Sequence, residues 1–269
     1  MFLGIFCAGL VLAVPDSPGA ASTFSNTNFM SINDSGNPPT LSTPYPSTNI
    51  VTGLAGQLVT KATVTLNGFS HLFPSDVDIL LVGPQGQKAI LMANVGGQDK
   101  FSVTNLTLTL DDDATNSLPI YTNLVSGTFK PTNGYLATGN SSLPFNFPPP
   151  APPGTSNAVS ALSVFKNTDP SGTWNLFVVD DVGGDSGSIS GGWSLNLIVA
   201  VPLQAVRYQT NIVISWPGSA TNSTLQFSPN LLSSIAWSNV TTTPILTSGR
   251  YTVTNPISTG STFYRLSVH

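Results

Sequence analysis

Polar and apolar residues interchange along this chain with a period near two. Gln57 to Leu66 (QLVTKATVTL) and Phe101 to Leu110 (FSVTNLTLTL) alternate and are rich in β-branched residues. Such segments predict strands with one face on a core. Val77 to Val82 (VDILLV) is almost wholly apolar and stops at Gly83-Pro84. Ala89 to Met92 is a short run before the turn at Gly96-Gly97, and Thr173 to Val179 (TWNLFVV) and Gly192 to Val199 (GWSLNLIV) follow. From Val206 a second set starts: Asn211 to Trp216 (NIVISW), Thr224 to Phe227 (TLQF), Trp237 to Val240, Arg250 to Thr254 (RYTVT) and Thr262 to Val268 (TFYRLSV). No window from Ser22 onward sustains a capped helical period. The spacing predicts an all-β chain built of sandwiches, without βαβ units.

The gaps between these runs set the domain organisation. Leu118 to Thr155 is rich in Pro, Gly, Asn and Ser and predicts an ordered surface loop crossing the sandwich. Its Pro148-Pro149-Pro150 and Pro152-Pro153 runs are expected to be extended. Ala158 to Phe165 (AVSALSVF) fits either a helical turn or a strand. Met1 to Val14 is apolar, and Gly19-Ala20-Ala21 fits a small-residue cleavage site, so 1–21 predicts a signal peptide. That stretch is too short to span a bilayer as a helix, so no membrane span is expected in the mature chain. Val201-Pro202 marks a boundary, with one domain over 22–200 and a second over 201–269.

Composition sharpens this picture. Only 7% of the 269 residues are charged, against roughly 25% in an average soluble domain. All twelve acids are Asp, a residue of turns, caps and metal loops, and none is Glu. A net charge of −4 offers nucleic acid no basic patch. Every Asp lies at or before Asp185, whereas the tail carries Arg207, Arg250 and Arg265. This asymmetry again suggests two modules, an acidic one and a weakly basic one. Cys7 lies inside the predicted signal peptide, so the mature chain would need no disulfide.

Eight of the acids fall into three tight groups: Asp76 and Asp78; Asp111, Asp112 and Asp113; Asp180, Asp181 and Asp185. Like charges this close repel unless solvated or neutralised by a cation. Hard oxygen ligands on flexible turns suit Ca²⁺, which takes six to eight of them. All eight are therefore candidate calcium ligands. The competing reading is turn chemistry, in which each Asp caps its own backbone. With two His in the chain and no Cys in the mature form, zinc is not expected.

Residues 167–197 read NTDPSGTWNLFVVDDVGGDSGSISGGWSLNL. This stretch resembles the C-terminal part of the P domain (Homo B domain), the β-sandwich that follows the catalytic domain in kexin- and furin-like proprotein convertases. The matching positions are Gly172-Thr173-Trp174, Asp180, Asp185 with Gly187, and Trp193 with Leu195. Upstream, His71 and Asp76 to Gly86 (DVDILLVGPQG) are similar to the family's His…Asp-Leu…Pro-x-Gly stretch. The resemblance covers roughly 24–199 and is closest to bacterial members, given Asp111-Asp112-Asp113 and Ser126 to Asn133 (SGTFKPTN). It implies a jelly-roll sandwich that packs on and stabilises a protease domain. Trp174 and Trp193 are expected as core anchors, each ring removing about 150–250 Å² from water. The tail resembles a small immunoglobulin-like module of the fibronectin type III kind, through Ile214-Ser215-Trp216-Pro217, Leu225-Gln226-Phe227-Ser228, Trp237 and Phe263-Tyr264-Arg265-Leu266.

A catalytic triad is superficially present. Asp34-Ser35-Gly36, His71 and Gly154-Thr155-Ser156 follow the order of subtilisins. His71 lacks the Gly-Thr that follows the subtilisin His, and no helix or parallel sheet is predicted to carry the serine. The first expectation is a secreted, non-catalytic accessory or interaction protein, calcium-stabilised, with a protease or a surface as its partner. A component of a subtilisin-like serine protease system is the second. A carbohydrate- or surface-binding adhesin, resting on jelly-roll analogy, is the third.

Overall fold

The computed structural model describes residues 21–36, 38–97, 101–137, 147–155, 158–230, 236–257 and 261–268. The predicted signal peptide apart from Ala21, with Cys7 inside it, and Ser156 lie outside them. The described chain is all-β. Helix is confined to short turns such as α1 (Gly134–Ala137) and the 3-10 turns Pro74–Asp76 and Leu162–Phe165. It divides into two compact units, one of 21–52 and 59–198, the other of 53–58 and 199–268.

In chain order the first unit carries β1 (Ser22–Asn26), β2 (Met30–Ile32), β3 (Thr40–Leu41), β4 (Ser47–Val51), β5 (Leu58–His71), β6 (Val77–Val82) and β7 (Lys88–Ala93). Then come β8 (Val103–Leu110), β9 (Gly127–Phe129), β10 (Thr132–Asn133), β11 (Gly172–Asp180), β12 (Gly187–Ile189) and β13 (Trp193–Ala200). One sheet runs β1-β13-β5-β12-β2, with β8 and β9 added beside β5. The other runs β10-β7-β6-β11-β3, with β4 also on β11.

The polar–apolar period explains how these sheets stack. Inward residues of β11 (Trp174, Leu176, Val178) and β6 (Ile79, Leu81) are fully buried, as are Leu66, Phe69, Trp193 and Leu195 of the first sheet. Trp193 Nε1 donates to Ser47 Oγ at 3.0 Å, and Trp174 Nε1 to the Pro170 carbonyl at 2.8 Å. Each ring is thus buried with its single donor satisfied. The second sheet is buried on its other face too. There Leu80, Val82, Ile90, Ala93, Phe177 and Val179 pack with Phe147, Ala151 and Ala158 from the long loop. This double burial is why VDILLV is almost continuously apolar.

The proline-rich loop departs from its expected extended form. It turns at Pro148, whose carbonyl accepts Ala151 N–H at 3.1 Å and Tyr45 Oη–H at 2.8 Å. Ala151 is thereby tucked into the sheet. Ala158 to Phe165 resolves into a lone bridge between Ala89 and Val159 followed by the 3-10 turn at Leu162–Phe165.

The second unit has β14 (Gln204–Tyr208), β15 (Asn211–Pro217), β16 (Ser223–Ser228), β17 (Ser238–Asn239), β18 (Ile245–Thr247), β19 (Arg250–Pro256) and β20 (Phe263–Val268). They form a four-stranded sheet, β14-β15-β19-β18, and a three-stranded one, β17-β16-β20. Ile214, Trp216, Leu225, Val253, Tyr264 and Leu266 make its core. Trp237 takes the Arg265 guanidinium over its ring, 4.4 Å from the centroid.

Candidate functional site

The two segments that carry the motifs meet at one end of the sheets. β5 ends at His71, a 3-10 turn over Pro74–Asp76 leads into β6, and β11 ends at Asp180. His71 Nε2 lies 3.1 Å from Asp180 Oδ2, and their side chains are 0% and 1% exposed. His71 Nδ1 accepts the Phe73 N–H at 3.2 Å. Nδ1 therefore carries no proton, and Nε2–H is the donor to Asp180. Asp180 Oδ1 accepts Val182 N–H at 3.1 Å. Gly187 lies opposite His71 across the ladder, where a Cβ would stand 2.1 Å from the Ser70 carbonyl oxygen. A side chain there would push β12 away from the His71 end of β5.

Strand register sorts the acids. Asp78 is opposite Val179, and Asp180 is opposite Val77. Residues opposite one another share a face, and successive residues alternate. Asp180 thus points into the sandwich toward His71, while Asp78 lies on the loop-covered face with Leu80, Val82 and Val179. Asp181 follows the strand end, and its N–H bonds the Asp76 carbonyl at 2.8 Å. Its Oδ2 accepts the Tyr135 hydroxyl at 2.5 Å. Tyr135 comes from α1 and packs on the same loop-covered cluster.

The electrostatics of this corner are unbalanced. Asp76, Asp78 and Asp180 are all buried, and among the described residues no Lys or Arg pairs with them or with Asp181. Burial, then the Asp180 charge, pushes the Asp76 carboxyl up to about 7, although Ser75 donates to it at 3.2 Å. Burial and the neighbouring Asp181 hold Asp78 well above the usual carboxylate range. The backbone N–H of Asn94 offsets part of this, yet neither Asp78 oxygen makes a hydrogen bond. Burial also raises Asp181, against the opposing pull of the Tyr135 hydroxyl.

The remaining predicted ligands lie elsewhere, and Asp111, Asp112 and Asp113 have partners there. Lys61 Nζ bridges Asp111 at 2.9 Å and Asp113 at 2.7 Å. The Asp112 carboxylate accepts Leu162 N–H at 2.8 Å and Ser163 N–H at 2.7 Å, capping the 3-10 turn. Asp185 is partly exposed in the loop before β12. The structure thus brings together Asp76, Asp78, Asp180 and Asp181, with His71 and Tyr135, and keeps Asp111, Asp112 and Asp113 on Lys61 and the backbone. Tyr135 was not singled out by sequence; it sits in the Gly-, Asn- and Pro-rich loop without a motif of its own.

The described members of the subtilisin-like set, His71 and Asp34, are spent in other ways. His71 is saturated by Phe73 and Asp180. Asp34 accepts Gly36 N–H at 2.8 Å and Gly184 N–H at 2.9 Å, tying its loop to the one before β12. A shallow groove lies over Thr23–Asn28 and Thr48–Ile50. Its Asn26 amide is used on Ser47 and Thr48, and its Asn49 amide on the Phe24 carbonyl.

Among the described residues no helix is long and apolar enough to cross a membrane. No family model matches the chain, and no curated protein does. Among solved structures, the chain is similar to a serine protease of Aeromonas sobria, with 17% identity and a TM-score of 0.30. The same protease in complex with its chaperone matches at 16% identity and a TM-score of 0.30. Both alignments cover 67% of this chain and 26% of the protease chain, so the chain spans about a quarter of that structure's length.

Proposed function

We propose that this chain is a secreted, non-catalytic accessory module of the P-domain type, stabilised by calcium, with a protease or a surface as its partner. The observation that carries the reading is the buried His71–Asp180 pair. It joins the two segments of the family resemblance, 109 residues apart, in one hydrogen bond. A histidine so enclosed orients a strand end and a turn. It has no free nitrogen with which to take a proton from a serine, as a triad base must.

The non-catalytic part is tested by incubating the protein with unfolded casein and a peptide library. No cleavage is the expected result, and cleavage that vanishes in Ser156→Ala overturns it. The accessory part is tested by adding the protein to a subtilisin-like catalytic domain stripped of its own P domain. A longer thermal half-life of that domain supports the reading, and an unchanged one counts against a protease partner.

A further inference from the structure

We propose that the Asp78 and Asp181 carboxylates, with Asp76 alongside, hold one calcium ion on the loop-covered face of the second sheet, beside the Tyr135 hydroxyl. This gives the calcium clause of the proposed function a location and rests on that clause alone. The accessory role stands or falls separately.

Asp78 is the reason. It is 0% exposed, and neither carboxylate oxygen has a hydrogen-bond partner. If ionised, it needs a positive charge beside it. If protonated, its O–H still needs an acceptor and its second oxygen a donor. His71 cannot serve, because it is used on the opposite face by Asp180 and Phe73. No Lys or Arg pairs with this corner among the described residues. A hard cation supplies what both oxygens lack.

The other acids make a useful contrast. Asp111 and Asp113 share Lys61, and Asp112 and Asp34 each accept two backbone N–H groups. A cation has no such vacancy to fill at those positions. Among the described residues no three His, Cys, Asp or Glu side chains already stand at the spacing of a shared ion. Two carboxylates are therefore the charged core of the shell. Main-chain oxygens, water and an inward movement of Asp76 are left to complete it. Calcium tolerates such a shell, because it accepts six to eight oxygens in irregular geometry, where magnesium demands a near-ideal octahedron.

The test uses the full chain, stripped with EDTA and desalted. Terbium, a luminescent stand-in for calcium, is titrated with excitation through the aromatic rings. The expected result is sensitised emission that calcium displaces, and a melting temperature raised several degrees by millimolar calcium. Tyr135→Phe should lower the emission severalfold while leaving the calcium-induced rise in place. Asp78→Asn should abolish that rise. Because this position is wholly buried, Asp181→Asn at the half-buried neighbour is the second variant, and it should weaken calcium binding more than about tenfold. Asp113→Asn should leave binding unchanged. A stripped protein that binds no terbium and melts alike with and without calcium overturns the site. So does a response lost in Asp113→Asn but kept in Asp181→Asn. Neither result bears on hydrolysis or on stabilisation of a protease domain.

Discussion

At the residue scale, His71 and Gly187 show how closely the end of β5 is fixed in place. His71 bridges a backbone N–H and a buried carboxylate at the point where β5 ends. Replacing it by Leu fills similar space but leaves the buried Asp180 Oδ2 without its donor. Removing one member of a buried polar pair exposes the other's desolvation cost, and a loss of about 3 kcal/mol is expected in urea unfolding. Gly187→Ala adds only a methyl group, yet that carbon would lie 2.1 Å from a backbone oxygen. β12 must shift to admit it, so Gly187→Ala should lower the melting temperature more than a mutation on an open face. Asp112→Ala is milder. It leaves Leu162 and Ser163 N–H groups without their cap, at a cost of about 1 kcal/mol.

At the scale of elements, the second sheet is the buried centre of the first unit, because β6 and β11 are covered on both faces. Phe177 packs its ring edge against Tyr45, with centroids 5.1 Å apart, and belongs to the loop-covered cluster. Phe177→Ala should cost about 3–5 kcal/mol. Thr128→Ala, on exposed β9, should stay within about 0.5 kcal/mol of wild type. The sequence made β6 and β11 easy to read, since a continuous apolar run ending at Gly83-Pro84 has few other uses. β1 (STFSN) and β4 (STNIV) were not legible, because Ser, Thr and Asn there pair backbone at sheet margins with little apolar pattern. The acids were legible as three groups, but their sorting was not. Whether Asp78 and Asp180 share a face depends on the Val179–Asp78 register across β6 and β11. That register is a long-range fact, invisible to local periodicity. Tyr135 was missed for the same reason: only the fold brings it to Asp181.

At the scale of the whole molecule, the question is whether the first unit needs the second. Each has a core of its own: one sandwich closes around Trp174 and Trp193, the other around Trp216 and Tyr264. The acidic corner, its histidine and its tyrosine all belong to the first unit. The short segment 53–58, which runs from the loop after β4 to the first residue of β5, groups with the second unit, but none of its residues belongs to the cluster around Phe177. A chain ending at Ala200 is therefore expected to fold. It keeps β13, whose Trp193 and Leu195 close the first sheet onto the second, and loses no residue of the core described around Phe177. The expectation is a cooperative urea transition, with a slope reduced in proportion to the smaller surface exposed. Failure of the shortened chain to show such a transition, while the full chain unfolds in one step, would mean that the two units fold only together.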